Sequence, residues 1–324
     1  VGPGIGLLGD VMLGRSVAEA LSGRPAEQVW SDEVRALAGS LDLIVANLEC
    51  CLSDRGARTA RIPGKPFFFR GPPSAAGALR AVGVGAVGLA NNHALDYGED
   101  ALADTLATVA AAGIAPAGAG ASQGEAREPA LVPADGLSVG IVAVSDHPTE
   151  YAAAGDSPGV AHADLGRGVP GWLGERVEEL RRRCELVVAF PHWGPNMTTE
   201  PAAWQRRAAR ELQEAGADLV AGHSAHVFHG VEWTDGGPIL SDLGDALDDY
   251  RVDPELRNDL GVLAIWRPEA GELELAGLRL DFCFTELARG ADADWIAARL
   301  ERACGELGTA VERVGEQRFR VARC

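Results

Sequence analysis

The sequence predicts an α/β domain with two packed sheets and helices outside them. Three observations carry that reading. Apolar runs of strand length alternate with helical patterns through the first two thirds of the chain. After residue 226 strands follow one another, which adds antiparallel pairs to a largely parallel sheet. Polar clusters recur where five of the apolar runs end, the place where α/β folds build ligand sites.

The elements follow from local pattern. Residues 5–9 are an apolar strand that delivers Asp10, and residues 15–21 and 32–38 have helical spacing. A buried strand over 43–46 ends at Asn47, Leu48 and Glu49. A helix over 74–82 precedes a strand over 85–90 that ends at Asn91, Asn92 and His93. Residues 100–112 are helical and stop at Gly113, a residue suited to the position after a helix. A strand over 137–144 ends at Ser145, Asp146 and His147. The second half repeats the habit. A helix over 174–184 leads to a strand over 186–190 ending at Pro191, His192 and Trp193, and a helix over 200–215 leads to a strand over 218–221 ending at Gly222 and His223. Strands follow over 227–233, 238–243, 260–266 and 273–284, then a helix over 292–307 and a final strand or arm over 316–324.

With 324 residues and 47% hydrophobic content the chain can bury a large core. It shows no Pro/Ser-rich linker and no repeat, so residues 1–324 read as a single domain. The net charge of −18 repels phosphate backbones and anionic lipid, which argues against nucleic acid and membrane surfaces as partners. No signal peptide and no transmembrane run is visible. The six cysteines form no C-x-x-C pair and read as reduced thiols, so the expected location is cytoplasmic.

Chemistry is concentrated in the strand-end clusters. Five of the seven histidines fall into Asn91-Asn92-His93, Pro191-His192-Trp193 and the segment Gly222 to His226 or beside it. Asp10 and Glu49 each end an apolar strand, where a lone carboxylate needs a partner. A divalent metal satisfies imidazoles and carboxylates together. His147 is a further candidate for the pocket. The loop after Glu49 carries Arg55, Arg58, Arg61, Lys65 and Arg70 in an otherwise acidic chain, and Arg58 and Arg61 are candidates for an anion-binding lip. Phe67, Phe68 and Phe69 read as core or sheet edge. The Gly83 to Gly88 run has the letters of a dinucleotide motif but leads from helix to strand, the reverse of the required context.

These motifs, in order, resemble the CapA-type family of poly-γ-glutamate capsule-synthesis proteins, which is similar to the calcineurin-like metallophosphatases. The resemblance rests on Gly9-Asp10-Val11-Met12-Leu13-Gly14-Arg15, Ala46-Asn47-Leu48-Glu49, Ala90-Asn91-Asn92-His93 with Asp96, His192-Trp193-Gly194, and Gly216 to His223 with His226. It spans residues 4–283 and leaves a C-terminal helix and arm over 284–324. It implies a four-layer α/β/β/α sandwich of two mixed sheets. It also implies one or two divalent ions (Mn, Zn or Fe), with Asp10 and His226 holding one, Glu49 bridging, and Asn92, His192 and His223 holding the second. His93 is implied as proton donor or substrate clamp, with Asp10 the other catalytic candidate, and Arg15, Asn91, His147 and Asp245 are further candidates for substrate contact. Met12, Glu49 and the His223-x-x-His226 spacing depart from the phosphatase pattern and favour the CapA branch. The implied function is a soluble metal-dependent hydrolase acting at an amide or carbonyl centre of a γ-glutamyl or amino-acid-derived anionic substrate, small or peptide-like. Phosphoesterase, small-molecule tailoring enzyme and non-catalytic component of polymer export are the alternatives.

Overall fold

The side chains of strand Leu137–Ser145 divide between two cores, and that division organises the molecule. Val139, Ile141 and Ala143 belong to the same core cluster as the first strand, whereas Val142 and Val144 belong to a second cluster with Leu173, Val177, Ala208 and Leu212 from two helices. Period-two alternation forces this when both faces of a sheet are covered. The computed structural model, which describes residues 2–323, therefore has a six-stranded sheet with helices Gly171–Arg181 and Ala203–Glu214 on one side and a second sheet on the other.

The second sheet has ten strands. Its centre is Ile5–Val11, buried along its whole length and flanked by parallel Leu43–Leu48 and antiparallel Leu260–Arg267. Val17, Val34, Leu79, Leu102 and Val109, from the helices of the first third, belong to the same core cluster as this sheet. The architecture is the α/β/β/α sandwich of two mixed sheets that the resemblance implies. The chain builds four strands of the ten-stranded sheet first, from Ile5–Val11 to Ala115–Ala117, then the six-stranded sheet from 130 to 240. It returns with Asp245–Leu247, which pairs in parallel with Ile5–Val11. That return is close: a Cβ on Gly9 would lie 1.8 Å from Gly244 O, so only glycine fits there.

Several boundaries differ from those the sequence predicts, for identifiable reasons. The strand expected from 227 begins at Val231, because the chain is still turning through His226 at φ 60°. The strand expected to reach 284 stops at Leu280. Phe282 and Cys283 both have positive φ and reverse the chain into Thr285–Leu287. The helix expected from 200 starts at Ala203, after Pro201. Ala130–Ala134, Asp245–Leu247 and Thr309–Arg313 are strands that local pattern does not reveal, and Cys324 lies outside the described residues. Cys50, Cys51, Cys184, Cys283 and Cys304 are free thiols. Among the described residues no helix is long and apolar enough to cross a membrane.

Candidate metal centre

Both sheets deliver side chains to one place. The ten-stranded sheet brings Asp10 opposite Asn47 on one neighbouring strand and opposite Asp245 on the other. Glu49 lies just past the end of Leu43–Leu48, and Asn91 to His93 follow Val84–Gly88. The six-stranded sheet brings His192 at the end of its strand, in register with Ser145 and bridged to His223. The loop from Gly222 to His226 is bent hard, with Ser224 at φ 117° and His226 at φ 60°. Such conformations cost of order 1–3 kcal/mol each and need outside support. Asp242 supplies it: its carboxylate accepts from Ala225 N at 2.7 Å and from Gly244 N at 2.9 Å.

Two groups of ligand atoms converge. Asp10, His192 and His223 offer atoms all within 4.8 Å of one another, and so do Asp10, Glu49 and His226. Asp10 is common to both groups, and Glu49 belongs to one of them. Asp10 Oδ2, Glu49 Oε1, Asn92 Oδ1, His192 Nε2, His223 Nε2 and Asp245 Oδ2 are buried atoms with no hydrogen-bond partner. Orphaned polar atoms normally cost about 1–3 kcal/mol each. Those of Asp10, Glu49, His192 and His223 belong to the converging groups, a donor set suited to divalent cations.

The ionisation states agree. Burial holds His192 well below the usual imidazole range, reinforced by the neighbouring His223. Burial takes His223 down to about 4 against the pull of Asp10. Both rings are therefore neutral near pH 7, the form that binds metal. Burial and the Asp10 charge push Glu49 well up. His226 goes the other way: Asp245, Glu49 and Asp10 outweigh its burial and raise it. A cluster that must hold a proton to balance its carboxylates can exchange that proton for a cation.

Beside the cluster, His93 is fixed from two sides. Its Nδ1 lies 2.5 Å from Asp96 Oδ2, and its ring stacks on Phe69 with centroids 3.9 Å apart. Asp96 also accepts from Phe69 N at 2.7 Å and from Tyr151 OH at 3.1 Å. Burial lowers His93 to about 4, more than Asp96 raises it. A cleft of about 270 Å³ opens over His93 and His226, with Arg15, Phe67, Tyr250 and Arg251 in its wall. A second depression that also borders His93 is lined by Lys65, Asn92 and His147.

A family model described as bacterial capsule synthesis protein PGA_cap matches residues 4–250. The chain belongs to that family. A probable polyglutamine synthesis accessory protein of Mycobacterium tuberculosis is 31% identical over 350 residues, covering 94% of this chain and 91% of that one. The PGA biosynthesis protein CapA of Bacillus subtilis is 27% identical over 244 residues, covering 75% of this chain and 62% of that one. Among solved structures, a hypothetical protein from Thermus thermophilus aligns at TM-score 0.45 and 16% identity, covering 87% of this chain and 96% of that one.

Within this PGA_cap chain, some residues expected at the site do other work. Asn91 is fully buried and engaged: its Nδ2 donates to Asn47 Oδ1 at 3.0 Å and Leu48 O at 2.9 Å, and its Oδ1 accepts from His93 N at 3.0 Å. It clasps the strands, with both amide atoms engaged within the protein. Asn47 passes the contact on, donating to Asp10 Oδ1 at 2.6 Å. Asp245 is also buried, 2.8 Å from His226 Nδ1, and faces the cluster rather than the cleft. Arg58 and Arg61 line neither opening beside His93. Arg61 pairs with Glu99 and Arg58 lies over Phe68, so the basic loop balances nearby groups. Arg15 does reach the cleft but already pairs with Asp249 at 3.2 Å. His147 pairs with Asp146, its ring 5.3 Å from that of His192. Of the three phenylalanines, Phe69 is core and Phe67 is an exposed lip of the cleft. Tyr250, which donates to Glu49 Oε2 at 3.0 Å, and Asp242 escape sequence reading. Both lie in an acidic run whose only local signal is its density of aspartates.

Proposed function

We propose that this member of the PGA_cap family is a metal-dependent hydrolase acting on an amide or related carbonyl bond of a γ-glutamyl or amino-acid-derived substrate. The observation that carries the reading is the pair of overlapping ligand groups sharing Asp10, with buried atoms that have no hydrogen-bond partner. Asp10, Glu49 and His226 would hold one ion, and Asp10, His192 and His223 with Asn92 a second. Ions there would supply Lewis acidity for polarising a carbonyl and activating water. Asp245 orients the His226 ring, and Asn47 fixes the Asp10 carboxylate. The resemblance implies His93 as a proton donor, but its environment supports a different resting state. With Nδ1–H directed to Asp96 and the ring neutral, Nε2 is an acceptor. His93 Nε2 takes the proton lost by attacking water and returns it to the leaving nitrogen. Phe67, Phe69 and Tyr250 exclude water from the cleft and pack the substrate stem, and Arg251 at its mouth meets a carboxylate.

The test is chelation of purified protein followed by Mn2+ add-back. Turnover is followed on γ-glutamyl-p-nitroanilide and bis-p-nitrophenyl phosphate. Loss and recovery of amide cleavage is the expected result, with His192→Ala and His223→Ala lowering kcat at least about 100-fold. Cleavage of the phosphodiester alone would reassign the substrate. Wild-type protein that carries no metal and is indifferent to both substitutions would leave the accessory, non-catalytic role in force.

A further inference from the structure

Lys65 is the chain's single lysine, and its side chain is only 8% exposed. Withdrawing an ammonium from water costs several kcal/mol unless its donors are met. Here they are met by two groups of different purpose. Nζ donates to the main-chain carbonyl of Asn92 at 2.6 Å and lies 3.1 Å from Asp96 Oδ1. The Tyr151 ring, 5.4 Å away, closes the remaining side. Lys65 is held in place by its own turn, with its N–H donating to Ile62 O at 3.3 Å.

The two partners serve different residues of the proposed site. Asn92 carries a buried, unpartnered Oδ1, the atom that the metal-centre reading makes a ligand. Asp96 holds the Nδ1 of His93. Asn92 and His93 are adjacent, so a small rotation of that main-chain segment would move ligand atom and imidazole together. We infer that Lys65 is a positioning residue: its ammonium locks the Asn92 carbonyl to the Asp96 carboxylate, and so sets the Asn92 ligand atom and the His93 ring in one fixed relation. The lock itself is independent of any ion, but its consequence for metal binding rests on the metal-centre reading above. Arg is a poor replacement. A planar fork cannot place one compact donor group between those two oxygens.

A single lysine makes the test clean. In protein labelled with 15N at lysine only, the Nζ signal is expected to exchange slowly with water, and Asp96→Asn is expected to remove that protection. Zn2+ affinity by titration calorimetry is expected to fall about tenfold or more in Lys65→Met. Lys65→Arg keeps the charge and should lose less in melting temperature than Lys65→Met, yet share its loss of affinity. Tyr151→Phe removes a different donor from Asp96 and leaves Asn92 alone, so it should bind Zn2+ within about twofold of wild type. If Lys65→Met does not fold, Lys65→Arg carries the affinity comparison. Unchanged Zn2+ affinity in the Lys65 variants overturns the proposal. So does an affinity loss that merely follows a fall in melting temperature in both. Wild-type protein that binds no Zn2+ defeats the metal-centre reading instead. The Nζ signal then decides the lock, and a fast-exchanging, solvent-like signal overturns it.

Discussion

At the scale of single residues, His226 shows how the cluster is tuned. Its Nδ1 sits 2.8 Å from Asp245 Oδ1 and 3.4 Å from Asp10 Oδ2. A carboxylate behind an imidazole fixes the ring and makes it a better donor to metal. Asp245→Asn keeps the size and a hydrogen bond but removes the charge. Zn2+ affinity is expected to drop about tenfold in that variant, read by competition with a chelator of known affinity, and the fold should be retained because no volume changes. Asp10, Glu49, His192, His223 and His226 are all legible in the sequence. Asp10, Glu49, His192 and His223 are polar residues stranded at or just past the end of an apolar run, where they need a partner, and His226 follows His223 in the same short cluster. Asp242, Lys65 and Tyr250 are not legible. Their importance comes from contacts with Ala225, Asn92 and Glu49, which no local pattern encodes. Arg58 and Arg61 mislead for the converse reason: Arg61's balancing acid, Glu99, lies 38 residues away in sequence and beside it in space.

At the scale of elements, one ion-pair network ties a helix to a sheet edge. Arg206 and Arg210, one turn apart on Ala203–Glu214, both reach Glu232 on strand Val231–Thr234. Burial pushes the Glu232 carboxyl up, and the two guanidiniums more than offset it, leaving the group below its ordinary value of 4.5. A carboxyl lowered by folding stabilises above its unfolded pKa, and that contribution disappears as pH falls through the folded value. Glu232→Gln is thus expected to cost about 1 kcal/mol at pH 7. The difference in melting temperature from wild type should narrow as pH falls below the ordinary value of 4.5 and close once the folded-state carboxyl is protonated. Element type is readable where the pattern is long, as in Leu186–His192. It fails for Ala130–Ala134 and Thr309–Arg313, short outer strands whose side chains mix exposed and buried positions. Their pairing is decided by a neighbour rather than by their own periodicity.

For the whole molecule, the metal-free cluster is a store of unfavourable interactions. Buried carboxylates at Glu49, Asp242, Asp245 and Asp248 are all pushed up by desolvation, and like charges add to it. Cations bound only by the folded state relieve this. At a hundredfold excess over Kd they add about 2.7 kcal/mol, which for a chain of this length raises Tm by about 4 °C. Differential scanning calorimetry with and without Zn2+ checks it. An unmoved transition would mean that the orphaned atoms are met in another way. The return of the chain to its starting strand has a further consequence. Asp10 meets Asp245 across a parallel pair, and Ser16 N donates to Asp249 at a separation of 233 residues. During synthesis, the first strand leaves the ribosome long before the segment that flanks it exists. Until then Asp10 and Glu49 are acids on an unfinished surface, and the growing chain has to be kept from closing on itself wrongly. A nascent chain stopped at residue 240 has most of both sheets' parallel strands and no Asp245, no Tyr250 and no neighbour along the outer side of Ile5–Val11. Competence therefore arrives late and all at once, as the last quarter of the chain is made.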